Sequence, residues 1–140
     1  MSIYLPIVII VLSNTFYHIS AKSAPSDISP FAALTVSYGV GIVASLILYF
    51  VTNKGGHLID EYRHVNWSTI VLGLTIVGLE AGYMLLYRAG WNINTGSVVC
   101  SVSLAILLIF VGRLLYHETI SLSKLAGIGI CLVGLYFINK

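Results

Sequence analysis

The chain has 140 residues, 58% hydrophobic and 9% charged, with a net charge of +2 and a mean hydropathy of +0.96. A water-facing domain carries about 25% charged residues, so a soluble globule, a disordered chain and a disulfide scaffold are excluded. The basic residues are too few and too dispersed for a phosphate-backbone partner, and no nucleic acid is expected. What remains is an integral membrane protein.

Seven basic and five acidic residues punctuate the apolar segments. Stretches 1–21, 28–53, 64–79, 89–112 and 125–139 carry no charge at all. Crossing about 30 Å of hydrocarbon takes roughly 20 mainly apolar residues. The pattern therefore predicts helices over 3–21, 30–52, 67–88, 95–116 and 122–138: an all-α bundle of five transmembrane helices. They fill one domain, 1–140, expected to be multi-pass in the cell membrane. Turn residues separate them: Ala24-Pro25-Ser26, Lys54-Gly55-Gly56, Gly90-Trp91-Asn92 and His117-Glu118-Thr119. Ser29 before Pro30, and Ser121 before the last helix, are the expected N-caps. Barrel strands are excluded, because the apolar runs are continuous rather than alternating.

The first helix lacks the basic leader of a signal peptide and is expected to stay as a span, although Ala21-Lys22-Ser23 imitates a cleavage pattern. It carries a polar stripe: Asn14, His18 and Lys22 recur every four residues, with Ser13 and Tyr17 beside them. Such a stripe lines a cavity or pairs with neighbouring helices, except that Lys22 can snorkel to the interface. The second helix offers Gly41 and Ser45, beside Gly39, for close helix contact.

The third helix holds Glu80, near the midplane, in Leu79-Glu80-Ala81-Gly82-Tyr83. A carboxylate at that depth costs roughly 2.5–3.5 kcal/mol on insertion scales, so it must face protein or a water-filled cavity. Tyr83 and Tyr87, three and seven residues on, share its face; Met84 and Arg88 lie four and eight on. Two readings stand side by side. Glu80 is a substrate- or ion-binding carboxylate, with Asn14 and His18 supplying hydrogen bonds from the first helix, or it is a structural ion pair with Lys22 or Arg88.

The fourth helix adds Asn94, Thr95, Ser97, Ser101 and Ser103, hydroxyls and amides that often bond their own helix. On the last helix Gly127, Cys131 and Gly134 lie at i, i+4 and i+7, a small-residue face for dimer or helix packing, with Gly129 on another side. Cys100 and Cys131 read as packing residues. His18, His57, His64 and His117 are scattered without ligand spacing, so no metal and no cofactor is expected. No nucleophile–base set or nucleotide-binding loop can be assembled, so the chain is not read as an enzyme.

Loop charge gives little instruction on orientation. With five spans, one side holds Lys54, Arg63, Arg113 and Lys124, and the other Lys22, Arg88 and Lys140. Basic excess marks the cytoplasmic side, and four against three is nearly no excess. Either the N-terminus is weakly cytoplasmic, or both orientations are inserted.

The stretch from Tyr116 to Ile128, with Glu118, Lys124 and Gly127, resembles the hinge of the drug/metabolite transporter superfamily. There a Glu ends one helix, and a Lys then a Gly open the next, before a run such as Leu132-Val133-Gly134-Leu135. Lys22 and Ser23 before Pro30, and Ala89 with Thr95-Gly96-Ser97, also resemble an EamA-type domain. Small multidrug resistance proteins are similar, with four helices and an essential carboxylate in the first. This chain has none there, which leaves Glu80 as the deep carboxylate. The resemblance implies a half-size transporter bundle that moves a small organic solute by alternating access, as a homodimer with inverted subunits. Proton coupling through Glu80, by competition with a cationic substrate, is the expected mechanism. The alternative is a non-transporting membrane subunit that scaffolds or escorts another membrane protein.

Overall fold

The computed structural model describes residues 4–53, 56–117 and 121–138. Among them there is no strand, and the elements in order are α1 (Leu5–Ser23), α2 (Pro30–Thr52), α3 (Leu58–Tyr62), α4 (Trp67–Arg88), α5 (Ile93–Leu115) and α6 (Leu122–Ile138). The protein is an all-α membrane bundle. Helices α1, α2, α4 and α5 are long and apolar enough to cross a bilayer. Helix α6, the fifth expected span, has 17 residues, about 26 Å of rise. The turns at Lys54-Gly55 and Glu118-Thr119, and Lys140, lie outside the described residues.

The helix ends follow from local chemistry. Helix α1 stops where Ala24 turns extended, at ψ 132, before Pro25, because a proline disfavours helical geometry in the residue preceding it. Lys22 in its last turn complements the helix dipole. Pro30 opens α2. The expected cap at Ser29 is corrected here: its side chain makes no capping hydrogen bond. Its carbonyl accepts the Ala33 N–H at 3.0 Å, so Pro30, pre-set in φ, starts the helix. Asn66, which the sequence reading passed over, does cap α4: its Oδ1 accepts from the Ser68 N–H at 3.0 Å. Gly90, at φ +96, makes the left-handed turn between α4 and α5.

One element was not expected. The polar connection after α2 contains α3, a five-residue helix carrying Asp60 and Glu61. Its Asp60 pairs with Arg63 at 4.0 Å, with both side chains exposed, a contact that adds little stability.

Residues 1–88 and 89–140 form two compact units. In the first, α4 packs on both α1 and α2. Leu34, Ala81 and Met84 are its buried centre, with Ala21, Ala24, Ala33, Tyr38 and Val77 against them. Small side chains on all three helices let the backbones approach, as apolar packing in lipid requires. In the second unit α5 packs on α6. Large apolar side chains such as Val36, Val40, Leu48, Leu74 and Ile130 are more than half exposed. Lipid is the solvent for such faces.

The five-span topology has a direct test. Cysteines introduced at His57 and Lys140, in a background lacking Cys100 and Cys131, are expected to label from opposite membrane faces in every molecule. His57 is chosen over Gly56 because a Cβ at Gly56 would come within 2.7 Å of the Tyr49 hydroxyl. Labelling of both from the same face would remove one span from the count.

Candidate functional site

Glu80 is the fourteenth of the 22 residues of α4, about 4 Å beyond the helix centre. Its neighbour Ala81 and the residue one turn on, Met84, are buried in the unit's core. This turns Glu80 toward the opening between α1 and α2, where it lines a cavity of about 210 Å³. Tyr17 and Ser20 border the cavity from α1, Ser37 from α2, and Leu34 and Met84 form its apolar floor.

The carboxylate lies within electrostatic reach of the Tyr17 and Tyr38 hydroxyls, one from each flanking helix. Both hydroxyl oxygens are buried; that of Tyr38 lies within hydrogen-bonding reach of Glu80, and that of Tyr17 closes no hydrogen bond among the described residues. A buried hydroxyl without a partner costs roughly 1–3 kcal/mol. The Tyr17 hydroxyl beside the carboxylate therefore has room for a further partner.

Beside the cavity lies an aromatic cluster joining α1 to α4. The His18 ring meets Tyr17 edge-on at 5.2 Å and Tyr83 at 4.8 Å between centroids. Tyr17 meets Tyr83 at 5.7 Å. The Tyr87 hydroxyl is 2.9 Å from His18 Nδ1, and Tyr87 is 4% exposed. Each such ring pair adds about 0.5–1.5 kcal/mol beyond its burial, so the cluster fixes the spacing of α1 on α4 and hence the shape of the cavity. The Lys22 ammonium sits 5.7 Å from the Tyr87 ring centroid, within cation–π range.

Arg88, one of the two cations weighed as a partner for Glu80, is engaged elsewhere. Its Nη2 donates to the carbonyls of Pro25 at 2.8 Å and Ile28 at 2.7 Å. These bonds tie the α1–α2 loop to the end of α4. Arg88→Met is expected to lower stability by about 1–3 kcal/mol, since charged hydrogen bonds contribute that much when partly buried. The checks are thermal unfolding in detergent and faster hydrogen exchange at Ser26, Asp27 and Ile28.

The sequence-derived site is thus partly assembled and partly redistributed. Glu80 lines the cavity; His18, Tyr83 and Tyr87 form the adjacent cluster, and Tyr17 belongs to both. Asn14 is exposed and does not line the cavity. Tyr38, Ser20 and Ser37 were missed. Ser20 stands one helical turn from Tyr17 and could have been added to the stripe on α1. Tyr38 had no such signal, because its proximity to Glu80 depends on how α2 crosses α4. On α6, Gly127, Cys131 and Gly134 are exposed. Within the 89–140 unit a side chain added at Gly127 or Gly134 would meet nothing. Cys100 is half-buried, and both cysteines are free.

Helices α1, α2 and α4, long and apolar enough to cross a membrane, border a cavity that holds a carboxylate, the arrangement of a membrane transport site. The sequence model of the EamA-like transporter family matches residues 1–140, and the chain belongs to that family. No curated protein and no solved structure matches the sequence. Membership makes this a multi-pass membrane protein with a transporter-like role.

Proposed function

We propose that the chain is a secondary transporter of a small organic solute and that Glu80 links solute movement to protons. The observation that carries this reading is the deep carboxylate on α4, facing a cavity beside the Tyr17 and Tyr38 hydroxyls. A carboxylate in lipid depth is retained against its insertion penalty when it serves a pathway. A carboxylate carries either a proton or a bound cation, so a proton and a cationic solute exclude one another there. The groups facing it are Tyr17 from α1 and Tyr38 from α2, with His18, Lys22 and Tyr83 adjacent.

The working unit in this reading is a homodimer of inverted copies forming one EamA-like domain each. Five helices scarcely enclose a path, whereas inverted pairs place a site at the midplane and permit alternating access. The near-balanced loop charge and the open small-residue face of Gly127, Cys131 and Gly134 support it.

The test is reconstitution of this chain alone in liposomes. Solutes that raise its thermal stability are offered under an imposed pH gradient, and solute uptake is measured together with proton flux. Uptake driven by the gradient is expected. A folded chain that moves no solute unaided is the behaviour of a scaffolding or escorting subunit and overturns the reading.

A further inference from the structure

We propose that the Glu80 cavity receives the N–H-bearing head of a small primary ammonium and discriminates against quaternary ammonium. The inference rests on the transport reading above and narrows its substrate class. A carboxylate attracts any cation, so the choice among cations lies with the groups around it.

Those groups are hydroxyls, each with lone pairs that can accept a hydrogen bond. Ser37 Oγ donates its proton to the Ala33 carbonyl at 3.2 Å, so toward the cavity it offers lone pairs only. The Tyr17 hydroxyl oxygen is buried without a partner, and Ser20 borders the same space. An ammonium with three N–H donors satisfies the carboxylate and these oxygens together. A quaternary ammonium has no N–H and leaves them unpaired.

Quaternary heads are held instead against open aromatic faces. Here the rings that α1 and α4 bring near the cavity are turned on one another. Tyr83 and Tyr87 stack at 28° with centroids 6.1 Å apart, Tyr17 meets Tyr83 edge-on, and the Lys22 ammonium already occupies a face of Tyr87. A zwitterion is disfavoured for a separate reason. Its carboxylate would need a cationic neighbour, and no Lys, Arg or His is among the described residues lining the cavity. Arg88 is turned to the Pro25 and Ile28 carbonyls. The volume of about 210 Å³ suits a head and a short apolar tail resting on Leu34 and Met84.

n-Butylammonium and tetramethylammonium are isomers of equal charge that differ in whether nitrogen carries hydrogen. Each is titrated calorimetrically into the purified full chain in lipid nanodiscs at one fixed pH, because Glu80, Tyr17, Tyr38, His18 and Lys22 all lie close together. Butylammonium is expected to bind about tenfold more tightly. Ser37→Ala, a change that favours the helix, is expected to reduce that preference severalfold and leave tetramethylammonium unaffected. Equal affinities, or a preference for tetramethylammonium, overturn the head-group assignment; if Glu80→Gln abolishes that binding, Glu80 stands as the site. Failure of the folded protein to bind either cation overturns the assignment as well. Binding that survives in Glu80→Gln overturns both this inference and the reading beneath it.

Discussion

Glu80→Gln is expected to reduce gradient-driven solute uptake to the level of protein-free liposomes while the protein still inserts and folds. Glutamine keeps the shape and hydrogen-bonding capacity of the side chain and loses only the ionisable group. Insertion becomes easier, because a residue that costs roughly 2.5–3.5 kcal/mol at depth is replaced by a neutral one. Expression and thermal stability should therefore match or exceed wild type, and the loss belongs to function. The structural reading gives the opposite result. If Glu80 were one half of a buried ion pair, its neutralisation would strand the partner cation at a cost of about 3–5 kcal/mol, and the variant would unfold. Wild-type, pH-dependent uptake by Glu80→Gln would end the coupling proposal. Tyr17→Phe provides a second check. It removes one hydroxyl beside the carboxylate while keeping the ring contacts with His18 and Tyr83, so transport should fall with little change in folding.

The spans were legible because lipid imposes a simple rule: a helix in hydrocarbon tolerates few charges, so charges mark its ends. The starts at Pro30, Trp67 and Leu122 fall where the sequence placed them. Helix α3 was not legible, since five residues in a polar connection carry no periodicity to read. The α4 cap was readable in retrospect: Asn66 precedes Trp67 and Ser68 in the pattern of an N-cap.

The site divides in the same way. Depth identified Glu80, because an isolated carboxylate among apolar residues needs a reason. Its neighbours were inferred from spacing along α4, and there the one-dimensional reading reached its limit. Residues three and seven positions on share a face with Glu80, yet a helical face is broad. Tyr83 and Tyr87 turn to His18, whereas Met84, four positions on, lines the cavity with Glu80. The hydroxyls that meet the carboxylate come from Tyr17 and Tyr38 on the flanking helices. Their positions depend on helix crossing, fixed by Ala21, Ala33 and Ala81 in the packed centre, and no spacing within one helix encodes it.

Biasing the insertion of the chain is expected to abolish transport that its unbiased form performs. The wild-type sequence holds four basic residues on one side of the five-span topology and three on the other. Ser2→Lys with Tyr4→Lys makes the count six against three, and Arg63→Gln with Ser26→Lys and Asn139→Lys makes it three against five. A basic excess at span ends sets orientation, so each variant should insert in a single direction, opposite to the other. A uniform population cannot form inverted pairs, and each variant alone should be inactive although folded. Their co-expression restores both orientations and should restore transport. Cysteine labelling at His57 reads the orientation of every molecule independently of activity. In wild-type membranes it should report two populations of similar size. One population in the wild type, or full activity from either biased variant alone, would exclude the inverted pair.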